Sequence, residues 1–430
     1  MVFNKKYWLL LCSVLLFAQQ IWALSNTLNT DYLRTLNRSA SMGSSDAMFF
    51  NPAGLIYLSD GSYFDFDLGL GVFKKEFDFQ NSSAASLNYF PRSLMGTGAP
   101  AISLGYAKKE DNHALYFTLS PTMSSLFSLD NALSGSHETS RINYKHYDVA
   151  YEAALGYAMQ VHEIVAVSFG GKLLMQFQGA DDTYYTWGAQ ATALNERYRY
   201  HGVLVGPALH AGVLVTPLSW LAVALNLHSG SVLVGGSFVS HEGFRGPDMW
   251  ESEGQGRPQG GLMTQSDPAR MDLGVLFNIG EIAKLQLSGQ MQLRLFPDRN
   301  GFTEFNQLKP HVTWNIGTGV DFNLPANVVL GFGVLYSNDL PYAPSNYYEL
   351  LRAVELNQLQ SIAVGLGFCV PVGSLSIAVS GMMPIYFDGG SLTSEKLSLS
   401  VPRLNSFTIY HFVFSLGLKV KWGQLEQQSV

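Results

Sequence analysis

A strict two-residue alternation recurs along this 430-residue chain and limits how it can fold more than any other feature. Apolar residues alternate with polar or small ones at 64–72, 148–157, 284–295, 311–321 and 412–422. This period is that of a β-strand whose two faces meet different surroundings. After the N-terminus no stretch of about 18 apolar residues follows, so the sequence predicts no membrane-spanning helix.

The composition indicates which surroundings the apolar faces of the strands have. Only 14% of the residues are charged and 47% are hydrophobic, whereas about a quarter of the residues in a soluble domain are charged. Lipid is therefore expected to cover much of the surface, where a closed β-barrel satisfies every backbone group. The 42 glycines and the 13% aromatic content fit this class. The net charge of −7 provides no basic surface, so no nucleic acid partner is expected.

Segment counting predicts about fourteen antiparallel strands joined by alternating short and long connections. The strands are expected to begin near residues 62, 101, 112, 147, 164, 201, 220, 270, 284, 311, 328, 360, 374 and 406. Short turns are expected at 108–112, 160–163, 216–219, 280–283, 323–327 and 371–374. Long loops are expected at 80–100, 122–146, 178–200, 229–269, 297–310, 337–359 and 387–405.

An even strand number with this alternation is typical of an all-β outer-membrane barrel, with tight periplasmic turns and long external loops. Both termini are then expected on the periplasmic side. Phe64, Phe322 and Trp422 would lie in the aromatic girdle at the periplasmic interface.

Residues 1–23 have the layout of a secretory signal peptide that is removed from the mature chain. Lys5 and Lys6 precede an apolar core at 7–18, and Ala23 is a plausible cleavage position. An uncleaved anchor is the alternative, although an apolar core of about a dozen residues is short for it. Removal of the peptide would leave one cysteine, which excludes an internal disulfide framework.

Residues 24–60 lack the alternation and come before the first strand. The stretch LNTDYLRTLNRSA predicts a short helix, and Asn51-Pro52-Ala53-Gly54 predicts a turn, because proline fixes its own φ and restricts the residue before it. The segment is too short to be a domain, so it is expected to fill the lumen as a plug, or hatch. The barrel would span 61–422, and 423–430 would form a short periplasmic tail.

The hatch carries the most specific local motif. The run S-S-D-A-x-F-F-N-P-A-G-L precedes a first strand that opens with D-G-x-Y, and about fourteen strands follow. This arrangement, over nearly the whole mature chain, resembles the OmpP1/FadL/TodX family of outer-membrane long-chain fatty acid and hydrocarbon transporters. The resemblance implies a hatch in the lumen, capture of an apolar ligand by external loops, and release sideways through a gap beside a distorted third strand.

The family's binding residues do not transfer to this chain, so candidates come from the residues themselves. Pro121, at the end of NHALYFTLSP, cannot donate a ladder hydrogen bond and predicts either a wall defect or the end of that strand. In the 229–269 loop, Phe244, Met249 and Trp250 could capture an acyl chain, or could be scattered aromatic and apolar residues of a solvated loop.

Charged residues on the inner face allow two interpretations each. Asp65 and Asp67 share one face and could act in acid–base chemistry, but contact with basic hatch residues such as Arg34 and Arg38 is the favoured interpretation. Lys284 and Arg294 also point inward by parity. Either could receive a fatty-acid carboxylate, or could simply contribute to a polar lumen.

Other chemistries have little support in the sequence. The histidines show no metal-ligand spacing, no glycine-rich stretch has the setting of a phosphate loop, and no catalytic triad stands out. We therefore expect no cofactor, no metal and no enzymatic activity. The expected function is diffusion of hydrophobic molecules, long-chain fatty acids foremost, through a monomeric barrel surrounded by outer-membrane lipids. A porin or host-binding surface protein is the alternative, and an outer-membrane hydrolase is a weaker one.

Overall fold

The computed structural model of the chain describes residues 29–79, 93–97, 101–134, 138–188, 194–245, 259–294, 311–338, 360–387 and 404–422. The predicted signal peptide and the predicted C-terminal tail lie outside these ranges. Within them, no helix is both long and apolar enough to cross a membrane.

Antiparallel strands form one closed sheet. The strands are β1 (Gly61–Phe79), β2 (Ser93–Thr97), β3 (Ala101–Glu110), β4 (His113–Ser134), β5 (Glu138–His162), β6 (Val165–Gly188), β7 (Leu194–Leu218), β8 (Leu221–His228), β9 (Ser231–Arg245), β10 (Gln259–Asp267), β11 (Ala269–Ile279), β12 (Ala283–Arg294), β13 (His311–Asn323), β14 (Val329–Asn338), β15 (Gln360–Val372), β16 (Leu375–Phe387) and β17 (Leu404–Trp422). The sheet closes because β1 pairs with β17 on one side and with β2 and β3 on the other.

These strand segments fill fourteen positions in the wall, as the sequence predicts. Three positions each hold two segments in succession: β2 and β3 beside β1, β8 and β9 beside β7, and β11 and β10 beside β8 and β9. The break between β8 and β9 falls at Gly230, whose φ of 68° suits glycine. The fold is a fourteen-stranded transmembrane β-barrel.

The two faces of the wall differ as the alternation predicts. Leu155, Leu209 and Phe414 point outward and are more than half exposed, which suits a surface covered by lipid. On the inner face Asp65 and Asp67 are each 1% exposed. The three predicted girdle residues face outward at one end, where the Phe64 and Trp422 rings lie 6.3 Å apart.

The six predicted short turns are confirmed, and we call the end that carries them the short-turn end. Three predicted long loops are wrong as loops. Strands β9 and β10 occupy most of 229–269. Large parts of 122–146 and 178–200 belong to strands, since β4, β5, β6 and β7 are 22 to 25 residues long. About 9–11 residues cross a bilayer, so these strands extend past it. There no lipid requires an apolar face, which explains why alternation failed to reveal them.

The N-terminal segment, residues 29–60, lies inside the closed sheet. Its helices are α1 (Thr30–Thr35), α2 (Ala47–Phe50) and a 3₁₀ helix (Pro52–Tyr57). The side chain of Asn29 caps α1 by accepting hydrogen bonds from the amides of Asp31 and Tyr32. Helix α1 contacts β13 to β17, whereas the 3₁₀ helix contacts β3 to β7. The segment therefore touches opposite walls of the lumen.

Small wall residues make room for this packing. Alanines of the inner face surround Leu55 and Met48, at positions 107, 114, 158, 166, 222 and 224. Near α1, glycines of β13 and β14 lie against its backbone, where any side chain would collide with Thr35. The small residues of the inner face thus fix where the helices of the N-terminal segment pack against the wall.

Candidate functional site

The NPAG turn joins α2 to the 3₁₀ helix. Asn51 has φ −150° and ψ 83°, a non-helical geometry that suits a residue before proline, and Pro52 opens the 3₁₀ helix. Ala53 is fully buried. Gly54 lies so close to the Ser41 carbonyl oxygen that a Cβ there would collide with it. Close backbone packing therefore holds this turn.

The side chain of Asn51 lies in a polar recess of the wall. It is fully buried, yet neither its Nδ2 nor its Oδ1 has a hydrogen-bond partner among the described residues. A Cβ at Gly212 would lie 3.2 Å from Asn51 Oδ1 and 2.7 Å from both Asn226 Oδ1 and Ser168 Oγ. Those two oxygens also lack partners within the described ranges. The Asn51 amide thus enters a recess of polar groups without a direct bond to any of them.

An ion-pair cluster, the lower cluster, ties α1 to β13 and β17 near the short-turn end. Arg34 Nε lies 2.7 Å from Asp321 Oδ1, and Arg38 Nη2 lies 3.0 Å from Asp321 Oδ2. Arg34 Nη1 lies 2.7 Å from Asp31 Oδ1, and Lys419 Nζ contacts Asp31 Oδ2. The side chains are between 3% and 14% exposed. Every charge in the lower cluster is therefore buried against an opposite charge.

The electrostatics of Asp31 show how firmly this cluster is paired. Burial raises the pKa of Asp31, but the positive charges of Lys419, Arg34 and Arg38 outweigh that effect. The net result is a pKa well below the usual range, so the carboxylate stays charged. The arrangement suits fixed attachment of α1 to the wall.

Asp65 and Asp67 contact the N-terminal segment through other partners than the predicted arginines. Asp67 accepts hydrogen bonds from Asn29 Nδ2 at 2.8 Å and Thr30 Oγ1 at 2.5 Å, and Asp65 accepts one from Ser45 at 2.7 Å. The predicted pairing with Arg34 and Arg38 is wrong, because the guanidinium group of Arg34 in α1 and that of Arg38 just after it both contact Asp321 on β13.

A second charged group, the upper cluster, lies farther from the short turns. Lys172 Nζ lies 2.6 Å from Glu152 Oε1, and Arg270 Nε lies 3.2 Å from Asp272 Oδ2. Arg270 Nη2 lies 2.9 Å from His228 Nε2. The side chain of Arg270 is 28% exposed, whereas that of Lys172 is 5% exposed. Arg270 therefore remains open to the lumen, unlike the lysine.

A cavity of about 70 Å³ lies beside the upper cluster. Its lining includes three aromatic residues of the N-terminal segment, Tyr32, Phe49 and Phe50, together with Arg270. The Tyr32 and Phe50 rings stack 5.7 Å apart, and the Phe49 and Phe50 rings lie 6.3 Å apart at 53°. The rest of the lining is mostly polar, so the three rings form one aromatic side of a polar cavity. Aromatic rings beside a partly exposed guanidinium can contact a lipophilic group next to an anionic or polar end.

The wall beside this cavity contains a break in strand pairing, which we call the seam. The β3–β4 ladder runs from Glu110 and His113 to Leu104 and Leu119 and shows no pair beyond them among the described residues. In that register Pro121 would face Ile102, but proline has no amide hydrogen to donate.

Strand β4 itself does not end at the seam. It continues to Ser134, paired with β5 through an irregularity after Pro121. The prediction that Pro121 ends the strand is therefore wrong, and the wall-defect interpretation agrees with the ladder. Both Ser120 and Pro121 line the cavity, so the cavity reaches the seam.

The other predicted anchors and contacts lie elsewhere. Lys284 pairs with Asn278 on β11, eight residues along the strand from Arg270 and close to a short turn. Arg294 is the last residue of β12 and pairs with His311. It lies two residues beyond Gln292, which pairs with Arg270. Phe244 lies in β9. Met249 and Trp250 lie outside the described residues.

Sequence reasoning missed the upper cluster as a site. Parity placed Glu152 on the inner face, and the same rule applied to β6 and β11 would have placed Lys172, Arg270 and Asp272 there. Parity does not reveal which strands are neighbours or their register, so the pairs could not be assigned. Within the described ranges, no group of three or more His, Cys, Asp or Glu side chains could hold a metal ion.

Comparison with known proteins supports the fold. No protein-family model and no curated protein matches the sequence. Solved structures do match it. A Pseudomonas aeruginosa FadL homologue has a TM-score of 0.66 at 14% identity, over 93% of this chain and all of that one.

Two toluene transporters match less closely. TodX of P. putida has a TM-score of 0.55 at 12% identity, over 89% of this chain and 95% of its own. TbuX of Ralstonia pickettii has a TM-score of 0.52 at 10% identity, over 91% and 99%. At such identities the likeness concerns the fold.

Proposed function

We propose that this chain is an outer-membrane transporter that passes hydrophobic small molecules, long-chain fatty acids foremost, by diffusion. The observation that carries the proposal is the cavity, which touches Arg270 at one side and the seam at Ser120 and Pro121 at another. At about 70 Å³ the cavity is smaller than the roughly 300–1,000 Å³ of a ligand pocket, so we propose that it receives the polar end of the ligand and the adjoining carbons at a point from which a route leads to the lipid. Each buried methylene contributes about 0.8 kcal/mol, so an apolar path competes well with water for such a ligand.

The depth of the seam supports release into the membrane. Pairing between β3 and β4 stops six residues above Glu110, where the short turn begins. A wall strand rises about 3.3 Å per residue and tilts by about 35–45°, so the seam lies within a bilayer crossed by about 9–11 residues. A ligand leaving there would enter lipid directly. The names of the similar structures, a FadL homologue and toluene transporters, agree with a lipophilic ligand.

The remaining parts have roles in the same scheme. Residues 29–60 act as the hatch, with the NPAG turn, Asn51 to Gly54, as its rigid joint. Phe244, Met249 and Trp250 are proposed to capture ligand outside. Residues 1–23 are proposed to direct export and to be removed, and the mature monomer is proposed to reside in the bacterial outer membrane as a transporter without enzymatic activity.

Uptake of radiolabelled oleate tests the proposal. The full chain is expressed in bacteria that lack their own long-chain fatty-acid transporter, and a heat-dependent shift on a detergent gel verifies a folded surface barrel. The proposal predicts restored uptake, which a triple alanine variant of Phe244, Met249 and Trp250 should lower if they capture ligand.

The other outcomes separate the alternatives. Uptake of toluene without oleate would keep the transport class and reject fatty acids as ligands. Ion conductance with neither lipophile entering would favour a porin. Release of fatty acid from a labelled phospholipid by the purified barrel would favour a hydrolase.

A further inference from the structure

We propose that the ring of Phe49 closes the seam from inside the barrel and sets the width of ligand that can leave through it. This inference rests on the proposed function and assigns to one residue of α2 the selection of ligands by size. The argument uses the position of α2, a missing side chain on β3, and the joint that follows α2.

Helix α2 lies directly behind the seam. Its main contacts with the wall are to β3 and β4, the two strands whose ladder stops at Leu104 and Leu119. Phe49 also lines the cavity that contains Arg270 and reaches Ser120 and Pro121. The ring is half-buried. It therefore lies between the ligand cavity and the part of the wall where the β3–β4 pairing stops.

Gly105 on β3 is what allows the ring to reach this place. A Cβ at Gly105 would lie 2.7 Å from Phe49 Cζ, and closer still to Met48 Sδ. Gly105 is next to Leu104, the last residue of β3 that pairs with β4. The ring thus fills the space of a missing side chain at the edge of the seam.

The first pair beyond the ladder would join Ser103 and Ser120. Both residues are buried, and the Ser103 hydroxyl has no hydrogen-bond partner among the described residues. Buried hydroxyls normally have a partner, so the wall edge behind the ring is polar and incompletely bonded. A ring lying over this edge covers it from the lumen, and its displacement would expose the edge to a passing ligand.

At the joint after α2, the side chain of Asn51 does not oppose such displacement. The Asn51 side chain makes no hydrogen bond with any described residue. The chain there is held by backbone bonds of 2.8 Å, from Asn51 N to Ala47 O and from Gly54 N to Asn51 O. Movement of α2 therefore breaks no side-chain bond of the NPAG asparagine.

The matched test compares Phe49→Ala with Phe50→Ala in the oleate uptake assay. Phe50 is the next residue of the same helix and lines the same cavity, but its stacking partner is Tyr32 and not the wall at Gly105. Cells receive oleate and a pyrene-labelled fatty acid of similar length. The proposal predicts that Phe49→Ala raises the pyrene-to-oleate uptake ratio about two- to tenfold, the range that one aromatic contact corresponds to. Because Phe50 also lines the ligand cavity, Phe50→Ala should lower uptake of both fatty acids alike and leave their ratio unchanged.

A second variant guards against a folding defect. In Gly105→Ala the added methyl group crowds both Met48 Sδ and the Phe49 ring, so the ring is pushed from the edge of the seam and the same ratio should rise while the ring itself is kept. An unchanged ratio in both Phe49→Ala and Gly105→Ala, with folded barrels at the surface, would overturn the proposal. So would an equal rise in Phe50→Ala. Wild-type chain that admits neither fatty acid would instead reject the proposed function.

Discussion

The two charged clusters in the lumen differ in how completely their charges are paired. In the lower cluster Asp321 contacts both Arg34 and Arg38, and all three side chains are at most 6% exposed. In the upper cluster Arg270 has Asp272 and His228 beside it but stays 28% exposed toward the cavity. A fully paired group can only hold the fold, since a ligand would have to break buried ion pairs to bind it. The incompletely buried cation is the one that a ligand can reach.

The largest effect is expected from the lower cluster. Asp321→Ala leaves two buried guanidinium groups without their shared partner, and removal of one member of a buried pair costs about 3–5 kcal/mol. Hydrogen exchange of the α1 amides should become much faster, while the heat-dependent gel shift of the barrel is kept. Glu110→Ala is the control, because the Glu110 and Lys108 side chains are 56% and 53% exposed and such exposed pairs contribute at most about 1 kcal/mol. Equal protection of α1 in both variants would contradict the assigned role of Asp321.

In the upper cluster the expected loss is in binding. Arg270→Gln should weaken binding of oleate by about 1.5–3 kcal/mol, as expected for a hydrogen bond to a charged group. Toluene, which has no polar end, should bind equally well to both proteins. Lys284→Gln is the control, since it removes an inner-face cation close to a short turn. Displacement of a fluorescent fatty acid by oleate measures the affinity of the wild type, Arg270→Gln and Lys284→Gln. A larger loss of affinity in Lys284→Gln would identify Lys284, and not Arg270, as the anchor.

The sequence predicts the strands of the wall better than the contacts in the lumen. Strand starts and turns followed from alternation wherever lipid covers one face, as at Phe64 and Asp65. Beyond the bilayer the alternation ends, so the sequence predicts loops where β4 to β7 continue as strands away from the short-turn end. Residue positions on the inner face were also predictable by parity, including those of Asp65 and Asp67.

The ion pairs between the N-terminal segment and the wall were not predictable, because they depend on how that segment lies in the barrel. Arg34 and Arg38 are close in sequence to Asp65 and Asp67 but meet Asp321, more than 280 residues away. The sequence indicates the seam only in part, since Pro121 marks a missing hydrogen-bond donor but does not show which ladder is interrupted. The cavity depends on all of these together, and no single stretch of sequence contains it.

A smaller effect is expected where the N-terminal segment is held by packing alone. Gly54→Ala places a methyl group against the Ser41 carbonyl, and forcing an extra methyl into a close-packed site costs about 1–3 kcal/mol. Limited proteolysis should then cut the N-terminal segment sooner. Gly171→Ala is a matched control, because a Cβ there meets nothing within 4 Å. If both variants resist protease as the wild type does, the NPAG turn is not held by this contact.

The smallest effect on stability is expected at Asn51, although it belongs to the most distinctive motif. Asn51→Ala removes a buried amide that has no partner in the described part of the chain. Loss of an unsatisfied polar group raises the free energy of unfolding and the small cavity left behind lowers it, so the net change should be less than about 1 kcal/mol. Asn37→Ala is the matched control. Its buried amide donates to Gly317 O at 2.7 Å and Gln286 O at 3.2 Å, and its loss should cost about 1–3 kcal/mol.

Urea unfolding of both asparagine variants, followed by oleate uptake, separates packing from transport. Stability that is retained in Asn51→Ala while uptake falls would mean that this amide acts when the N-terminal segment moves and not when it is at rest. Loss of stability equal to that of Asn37→Ala would mean that a bonding partner occupies the recess between Ser168 and Asn226. In that case α2 is held more firmly than its direct contacts indicate, and displacement of the Phe49 ring would have to break that bond as well.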